Sequence, residues 1–310
     1  MPKQRNLAID RFRGLTIIVM VIVNDLAGVE GIPAILKHAP DEAGLTIADL
    51  VSKFFIFAIA ATYAMSFNKR AVAAGKGQAY YHFFSRYLAI LGVGAVFGTF
   101  EAVVEGTGIV WSTLHTIGLA GLLTLLVIRF HWGARMAVGA ALLAAYQLTF
   151  QFANGLFVGD IGKMLEAIPM AACLMISTAM IDLFNKGYKP FLIGTGVVTI
   201  LAYAPLLLPW VNVTRRNQVT YILICVSAAC IFYLLLDLLT KKALPKKPGL
   251  LCWWGENPML MYIFHLMLTG MALALDPRPL WLAIPVNLAI LSILSVIAWA
   301  MHRKDWQFKF

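Results

Sequence analysis

Residues 7–29, LAIDRFRGLTIIVMVIVNDLAGV, combine an apolar run of membrane-spanning length with charged and amide side chains near both ends. A transmembrane helix needs about 20 predominantly apolar residues. The rest of the chain has the same character, since 61% of its 310 residues are hydrophobic, 13% are charged and the mean hydropathy is +0.80. This composition excludes an ordinary soluble domain and predicts an integral membrane protein.

Apolar runs of this length recur along the whole chain and leave no room for a separate soluble domain. We therefore predict one all-α transmembrane domain over residues 1–310, a polytopic helical bundle of about ten transmembrane helices. The stretch QFANGLFVGDIGK, residues 151–163, is interpreted as a loop or a re-entrant segment. The predicted spans are 7–29, 45–67, 87–103, 111–129, 134–151, 164–184, 190–210, 218–240, 254–274 and 279–301.

The basic residues predict the orientation of these spans. With the N-terminus inside, the inner segments hold 17 of the 25 lysines and arginines and the outer segments hold five. Positive charge concentrates on the cytoplasmic side of membrane proteins, so both termini are predicted to be cytoplasmic, in a cell inner (plasma) membrane. The net charge of +10 is then a topology signal that meets anionic lipid, and a nucleic-acid partner is not needed to explain it.

A histidine precedes the second predicted helix at the outer side. Asp49 and Lys53 are four residues apart on that helix, a spacing that allows an ion pair on one helix face. The loop that carries His38 enters the same helix end. Asp49 could therefore accept a hydrogen bond from the imidazole of His38 and fix its tautomer, the arrangement of a general base. A purely structural ion pair between Asp49 and Lys53 is the alternative interpretation.

Further polar groups lie in or beside the predicted spans, where each needs a partner or a cavity. At 100° per residue, Asp10, Arg13 and Asn24 share one stripe of the first helix. His265 is interpreted first as a helix–helix hydrogen bonder. The groups predicted at the same outer end as His38 are Asn24, Asp25, Glu101, Glu105 and His115.

The first predicted inner loop has the composition of a phosphate site. Residues 68–86, NKRAVAAGKGQAYYHFFSR, combine Lys69, Arg70 and Arg86 with aromatic residues at the membrane edge. In contrast, the sequence contains no HExxH zinc spacing, no GxSxG elbow and no Walker-type loop, so no metal is predicted. WGENPMLMYIFHL, residues 254–266, carries a capping and helix-breaking signal at Glu256, Asn257 and Pro258.

Two of these stretches resemble a known family. IDRFRGLTIIVMVIVNDLAG, residues 9–28, and KHAPDEAGLTIADLVSKFFIFAIAATYAMSF, residues 37–67, resemble the start of the catalytic membrane domain of heparan-alpha-glucosaminide N-acetyltransferase and its shorter bacterial relatives, in the transmembrane acyltransferase group. The similarity is specific over about the first 70 residues. It is weaker at residues 114–123 and 254–266.

The resemblance implies an enzyme that moves an acetyl group from cytosolic acetyl-CoA to an amino sugar or related glycan on the outer side of the membrane. It places the essential histidine at His38, assisted by Asp49 and Asn24. Arg13, Lys69, Arg70 and Arg86 are the candidates to bind coenzyme A. Asp25, Glu101 and His115 are the candidates to bind the acceptor.

Several alternatives stay open at this point. Transfer is either direct, with His38 as general base, or through an acetyl-histidine intermediate. A polytopic small-solute transporter is the main rival function, although the sequence shows no internal repeat of the kind that transporters often have. A non-enzymatic assembly or lipid-binding membrane protein is a second rival. The sequence also leaves open whether the protein forms a homodimer.

Overall fold

A computed structural model describes residues 6–39, 44–105, 110–153, 159–207, 218–273 and 278–307. These residues form helices and connecting segments, and no strand occurs among them. Short 3₁₀ turns occupy Ala34–Leu36 and Ala204–Leu207. The helices are α1 Leu7–Leu26, α2 Ile47–Ala74, α3 Lys76–Glu105, α4 Thr113–Val127, α5 Trp132–Phe152, α6 Gly159–Leu165, α7 Ala167–Lys186, α8 Tyr188–Tyr203, α9 Gln218–Lys242, α10 Leu250–Glu256, α11 Pro258–Leu273 and α12 Leu280–Arg303.

The all-helical class is confirmed, and a helix overlaps each of the ten predicted spans. Within the described ranges, five stretches are long and apolar enough to cross a membrane: Ile47–Ala74, Gly162–Lys186, Tyr188–Leu207, Val219–Lys242 and Leu280–Arg303. Thr113–Val127 and Pro258–Ala272 are shorter apolar helices. The number of crossings and the cytoplasmic position of both termini stay predictions.

Helix boundaries differ from the predicted spans where polar residues continue a helix beyond its apolar part. α3 begins at Lys76, eleven residues before the predicted span 87–103. The polar residues after Gly75 are part of this helix, although they are not part of its apolar run. Gly75 has φ +87, a left-handed conformation that glycine adopts at low cost, and it separates α2 from α3. The predicted span 254–274 is interrupted after Glu256, where Pro258 begins a new helix, as the sequence signal indicated.

The chain forms two compact units, each described here by itself. The first contains the described residues up to Ala58 and from Ala228 onward, and the second contains Ile59–Ser227. The prediction of one domain over residues 1–310 is not tested by this division. In the second unit α7 packs against α4, α5 and α8, and nearly all of its side chains from Ala167 to Leu183 are buried. A helix that is apolar on all sides is expected at the centre of such a unit.

In the first unit α1 packs against α10, α11 and α12. The ring of Phe12 is fully buried at the centre of an aromatic cluster, with centroids 5.5 Å from Phe57 and 5.6 Å from Tyr233. The backbones of α1 and α10 approach closely at two glycines. A Cβ on Gly14 would overlap the carbonyl oxygen of Leu251, and a Cβ on Gly255 would overlap that of Asp10. Small residues permit this kind of helix contact inside membranes.

This glycine contact generates a stability prediction. Gly14→Ala should destabilise the protein by about 1–3 kcal/mol, because α1 and α10 must move apart to accept a methyl group. Gly92→Ala is the matched control, since a Cβ at this exposed helical position meets no atom within 4 Å. Thermal unfolding in one detergent would measure both variants. Equal melting temperatures for the two variants would contradict the close contact.

Candidate functional site

His38 and Asp49 are hydrogen bonded in the first unit. His38 Nδ1 lies 2.9 Å from Asp49 Oδ1. An ionised carboxylate only accepts hydrogen bonds, so Nδ1 carries the proton and donates it to Asp49. The other ring nitrogen, Nε2, is left with a lone pair and with no hydrogen-bond partner among the described residues. A histidine held in this tautomer can accept a proton at Nε2.

Asp49 is held in place by the segment that precedes α2. Its Oδ2 accepts hydrogen bonds from the backbone N–H groups of Ala39, at 3.2 Å, and Thr46, at 3.0 Å. The hydroxyl of Thr46 lies 2.6 Å from the carbonyl oxygen of Lys37 and 3.1 Å from the same Oδ2. These bonds connect both sides of the loop to the first turn of α2. The carboxylate thus orients the imidazole and also fixes the chain on which it is mounted.

The two partners differ sharply in exposure. The side chain of Asp49 is 0% exposed, whereas that of His38 is 47% exposed. Asp49 is therefore withdrawn from solvent while the imidazole it orients remains accessible to another molecule. A histidine that serves only to pack two helices together would instead be buried. The proposed ion pair between Asp49 and Lys53 stays a prediction.

Asn24, at the far end of α1, pairs with His265 on α11. Asn24 Nδ2 lies 3.1 Å from His265 Nε2, and the imidazole of His265 is fully buried. The prediction that His265 is a helix–helix hydrogen bonder is confirmed by this contact. Among the described residues Asn24 forms no hydrogen bond with His38. One of the two hydrogens on Asn24 Nδ2 remains available after the bond to His265.

Asp25 is buried and hydrogen bonded to residues in and beside α12. It is 0% exposed, and its Oδ1 accepts a hydrogen bond of 3.1 Å from Arg278 Nη1. Its Oδ2 accepts a bond of 3.0 Å from Asn287 Nδ2, and its backbone carbonyl accepts one of 2.8 Å from Arg278 Nη2. Both carboxylate oxygens are therefore occupied. The role predicted for Asp25 in binding the acceptor is not tested, but this geometry favours a structural ion pair between α1 and the start of α12.

The opposite end of α1 carries two arginines. Arg13, a sequence candidate, lies 3.9 Å from Asp10 and donates from Nε to the carbonyl of Ala58 at 3.4 Å. Arg11 was not a candidate, although it is 4% exposed and donates from Nη2 to the carbonyl of Pro245. The only feature of the sequence that could have marked Arg11 as functional is its position in an apolar helix. Both arginines belong to the first unit.

The other candidates for coenzyme A binding lie in the second unit. Lys69 and Arg70 are exposed at the end of α2, and Arg86 lies on α3 with a buried Nε that has no hydrogen-bond partner among the described residues. Burial lowers the pKa of His82, and the positive charges of Arg70 and Arg86 lower it further. The positive charges of Arg70 and Arg86 therefore act on the same imidazole. An anion bound near His82 would offset these charges.

Two candidates for acceptor binding also lie in this unit. His115 is 7% exposed, its ring stacks on Trp111 at 4.8 Å, and its Nδ1 accepts a hydrogen bond of 3.1 Å from the backbone N–H of Ser112. This is the geometry of a residue that caps the start of α4. The backbone of Glu101 belongs to α3, but its side chain and that of Glu105 lie outside the described residues. Among the side chains that the structure describes, no three His, Cys, Asp or Glu residues form a metal site.

One family model matches most of the chain. Its description is heparan-alpha-glucosaminide N-acetyltransferase, catalytic, and it covers residues 5–267. This range contains every sequence-predicted site residue and extends into α11 beyond His265. Among the curated proteins, none matches the chain.

The buried pair of Asp25 and Arg278 generates a second stability prediction. Arg278→Met should destabilise the protein by about 3–5 kcal/mol, because it leaves the carboxylate of Asp25 buried without its charged partner. Adding Asp25→Asn to that variant should recover part of the loss, since no unpaired charge then remains. Chemical unfolding of both variants would measure the difference. A double variant less stable than Arg278→Met would contradict the ion-pair account.

Proposed function

Because the chain belongs to the heparan-alpha-glucosaminide N-acetyltransferase catalytic family, we propose that it transfers an acetyl group from acetyl-CoA to an amino sugar or related glycan. The family itself indicates a membrane acetyltransferase, in agreement with the apolar helices. We propose that acetyl-CoA is used on the cytoplasmic side of a cell inner membrane and that the acceptor is on the other side. The acceptor atom is an amine nitrogen or a hydroxyl oxygen.

The observation that carries the proposal is the hydrogen bond between His38 and Asp49. It joins an accessible imidazole to a carboxylate with no solvent exposure, and the Nε2 lone pair has no hydrogen-bond partner among the described residues. Transfer of an acetyl group to an amine or hydroxyl requires removal of a proton from the attacking atom. The geometry of His38 suits that task.

The reaction proposed here is direct transfer. Acetyl-CoA would supply an activated acetyl thioester. His38 Nε2 takes the proton of the acceptor amine or hydroxyl while that atom bonds to the acyl carbon and the carbon–sulfur bond breaks. Asp49 stabilises the imidazolium, and His38 then gives the proton to the departing sulfur. Asn24 would donate its remaining N–H to the oxygen that becomes negative in the transition state.

Four basic residues are candidates to bind the phosphates of acetyl-CoA. Phosphate oxygens need cationic or N–H donors. The buried Nε of Arg86, which has no hydrogen-bond partner among the described residues, fits that requirement. We propose Lys69, Arg70 and Arg86 for the phosphates. Arg13 is proposed on the grounds of the α1 stripe that it shares with Asn24, eleven residues or about 16 Å away along the helix. These assignments rest on charge and placement in each unit separately.

The first functional prediction concerns His38. His38→Ala should lower kcat/KM for transfer of radiolabelled acetyl from acetyl-CoA to glucosamine by about 10²–10⁴-fold, the usual contribution of a general base. His131→Ala is the matched control, because His131 accepts a hydrogen bond from Gly133 at the start of α5 and should leave kcat/KM unchanged. A panel of amino and hydroxyl sugars tests the acceptor class. Full activity of the His38→Ala variant would refute the proposed base.

Covalent trapping distinguishes direct transfer from its competitor. Without an acceptor, the wild-type protein should retain no label on His38 after incubation with radiolabelled acetyl-CoA and rapid quenching. Mass spectrometry of the peptide that contains His38 measures this. Stoichiometric acetylation of that ring would instead establish the acetyl-histidine intermediate.

The third functional prediction concerns the phosphate site and needs no activity. Adding coenzyme A should raise the pKa of His82, because a bound phosphate offsets the charges of Arg70 and Arg86 that now lower it. Histidine-labelled NMR titrations with and without coenzyme A would measure the shift, and His82→Ala would assign the signal. His131 is the internal control. An unchanged His82 titration at saturating coenzyme A would remove Arg70 and Arg86 from the proposed site.

A further inference from the structure

Arg11 is a buried cation with too few partners. The residue is 4% exposed, its Nη2 donates to the carbonyl oxygen of Pro245, and its Nη1 is buried without a hydrogen-bond partner among the described residues. A guanidinium stays charged at any physiological pH. Arg11 therefore keeps a full positive charge inside the first unit.

A buried charge is costly unless an anion compensates it. The carboxylate next in sequence, Asp10, lies 3.9 Å from Arg13 instead. Within the described ranges no carboxylate forms an ion pair with Arg11. An anion bound from outside the protein would supply that compensation.

The chain segment that contacts Arg11 is itself strongly basic. Residues 241–247, KKALPKK, follow the last turn of α9 and contain four lysines. Lys241 pairs with Asp237 at 2.8 Å, whereas Lys242, Lys246 and Lys247 are exposed and form no hydrogen bond or ion pair with any described residue. We call residues 241–247 the basic segment.

The basic segment is folded back rather than extended. The backbone N–H groups of Ala243 and Leu244 both donate to the carbonyl of Leu239, at 2.9 and 2.8 Å. The next residue, Pro245, accepts the hydrogen bond from Arg11. The buried guanidinium of Arg11 therefore lies against the backbone of the basic segment at Pro245, and Lys246 and Lys247 are the next two residues.

Arg11 lies on a different face of α1 from Arg13 and Asn24, which are proposed for coenzyme A binding and catalysis. At 100° per residue, Arg13 lies within about 20° of Asn24 around the α1 axis, but Arg11 lies about 140° away from Asn24. A molecule that follows the Arg13–Asn24 stripe would therefore leave Arg11 uncompensated. The anion that Arg11 requires is a second, separate one.

We propose that Arg11 and the basic segment form a binding site for the phosphate of an anionic phospholipid headgroup. Several lysines directly after a membrane helix are typical of segments that bind anionic lipid. A phosphate diester supplies the oxygens that the Nη1 of Arg11 lacks, and the exposed lysines neutralise further negative charge at the membrane surface. A soluble phosphate compound has the same chemistry, so the test must separate the two sources.

The experiment is native mass spectrometry of the full-length protein titrated with phosphatidylglycerol or with phosphatidylcholine of the same acyl chains. The wild-type protein should retain phosphatidylglycerol in preference. Lys246→Gln combined with Lys247→Gln should weaken that binding roughly 30-fold, because each basic residue near an anionic surface contributes about fivefold. Both positions are exposed, so this variant should fold. Arg11→Lys, which keeps the charge but removes the fork, should also weaken binding.

The matched control is Arg129→Gln combined with Lys189→Gln, which removes two exposed positive charges from the second unit. It should bind phosphatidylglycerol as the wild type does. Equal lipid binding by the two double variants would overturn the proposal. Displacement of phosphatidylglycerol by pyrophosphate or coenzyme A at equal concentration would overturn the lipid assignment in favour of a soluble phosphate. Retention of the lipid under those conditions supports it.

Discussion

Asp49 is a carboxylate with no solvent exposure at the first turn of a helix apolar enough to cross a membrane. Such a group must be satisfied by donors, because an unpaired charge cannot be kept out of water at low cost. His38 Nδ1 and the backbone N–H groups of Ala39 and Thr46 supply three of them. The need to satisfy this carboxylate fixes the backbone at Ala39 and Thr46, the position of His38 and its tautomer together. The chemistry proposed for the protein follows from that single requirement.

The same need to satisfy buried polar groups explains how α1 packs. This helix is too charged to face lipid along its whole length. Its polar side chains are matched by neighbouring helices of the first unit: Asn24 by His265 on α11, and Asp25 by Arg278 and Asn287 beside and on α12. The glycine contact with α10 secures its other end. α1 is therefore packed among protein partners, and the polar groups it carries are positioned rather than solvated.

The apolar runs predicted a helix within each of the ten spans, because a spanning helix has a characteristic length and composition. They did not predict the helix boundaries or the short helix α6. The bond between His38 and Asp49 could also be anticipated, since the two residues are eleven apart and the loop returns to the helix end. The partners of Asn24 and Asp25 could not, because His265 and Arg278 are more than 200 residues away and nothing local marks the pairing. The burial of Arg11 could not be predicted from the sequence, because it depends on α10 and the basic segment, which meet α1 only in the folded chain.

In the proposed site Asp49 acts through His38, and a double-mutant cycle on kcat/KM for acetyl transfer tests this most directly. Asp49→Asn should reduce kcat/KM in the wild-type background, because the imidazole loses its orienting carboxylate. In the His38→Ala background the same substitution should cause almost no further loss, since no imidazole remains to be oriented. An equal, independent loss in both backgrounds would show that Asp49 does not act through His38 and would contradict the proposed site.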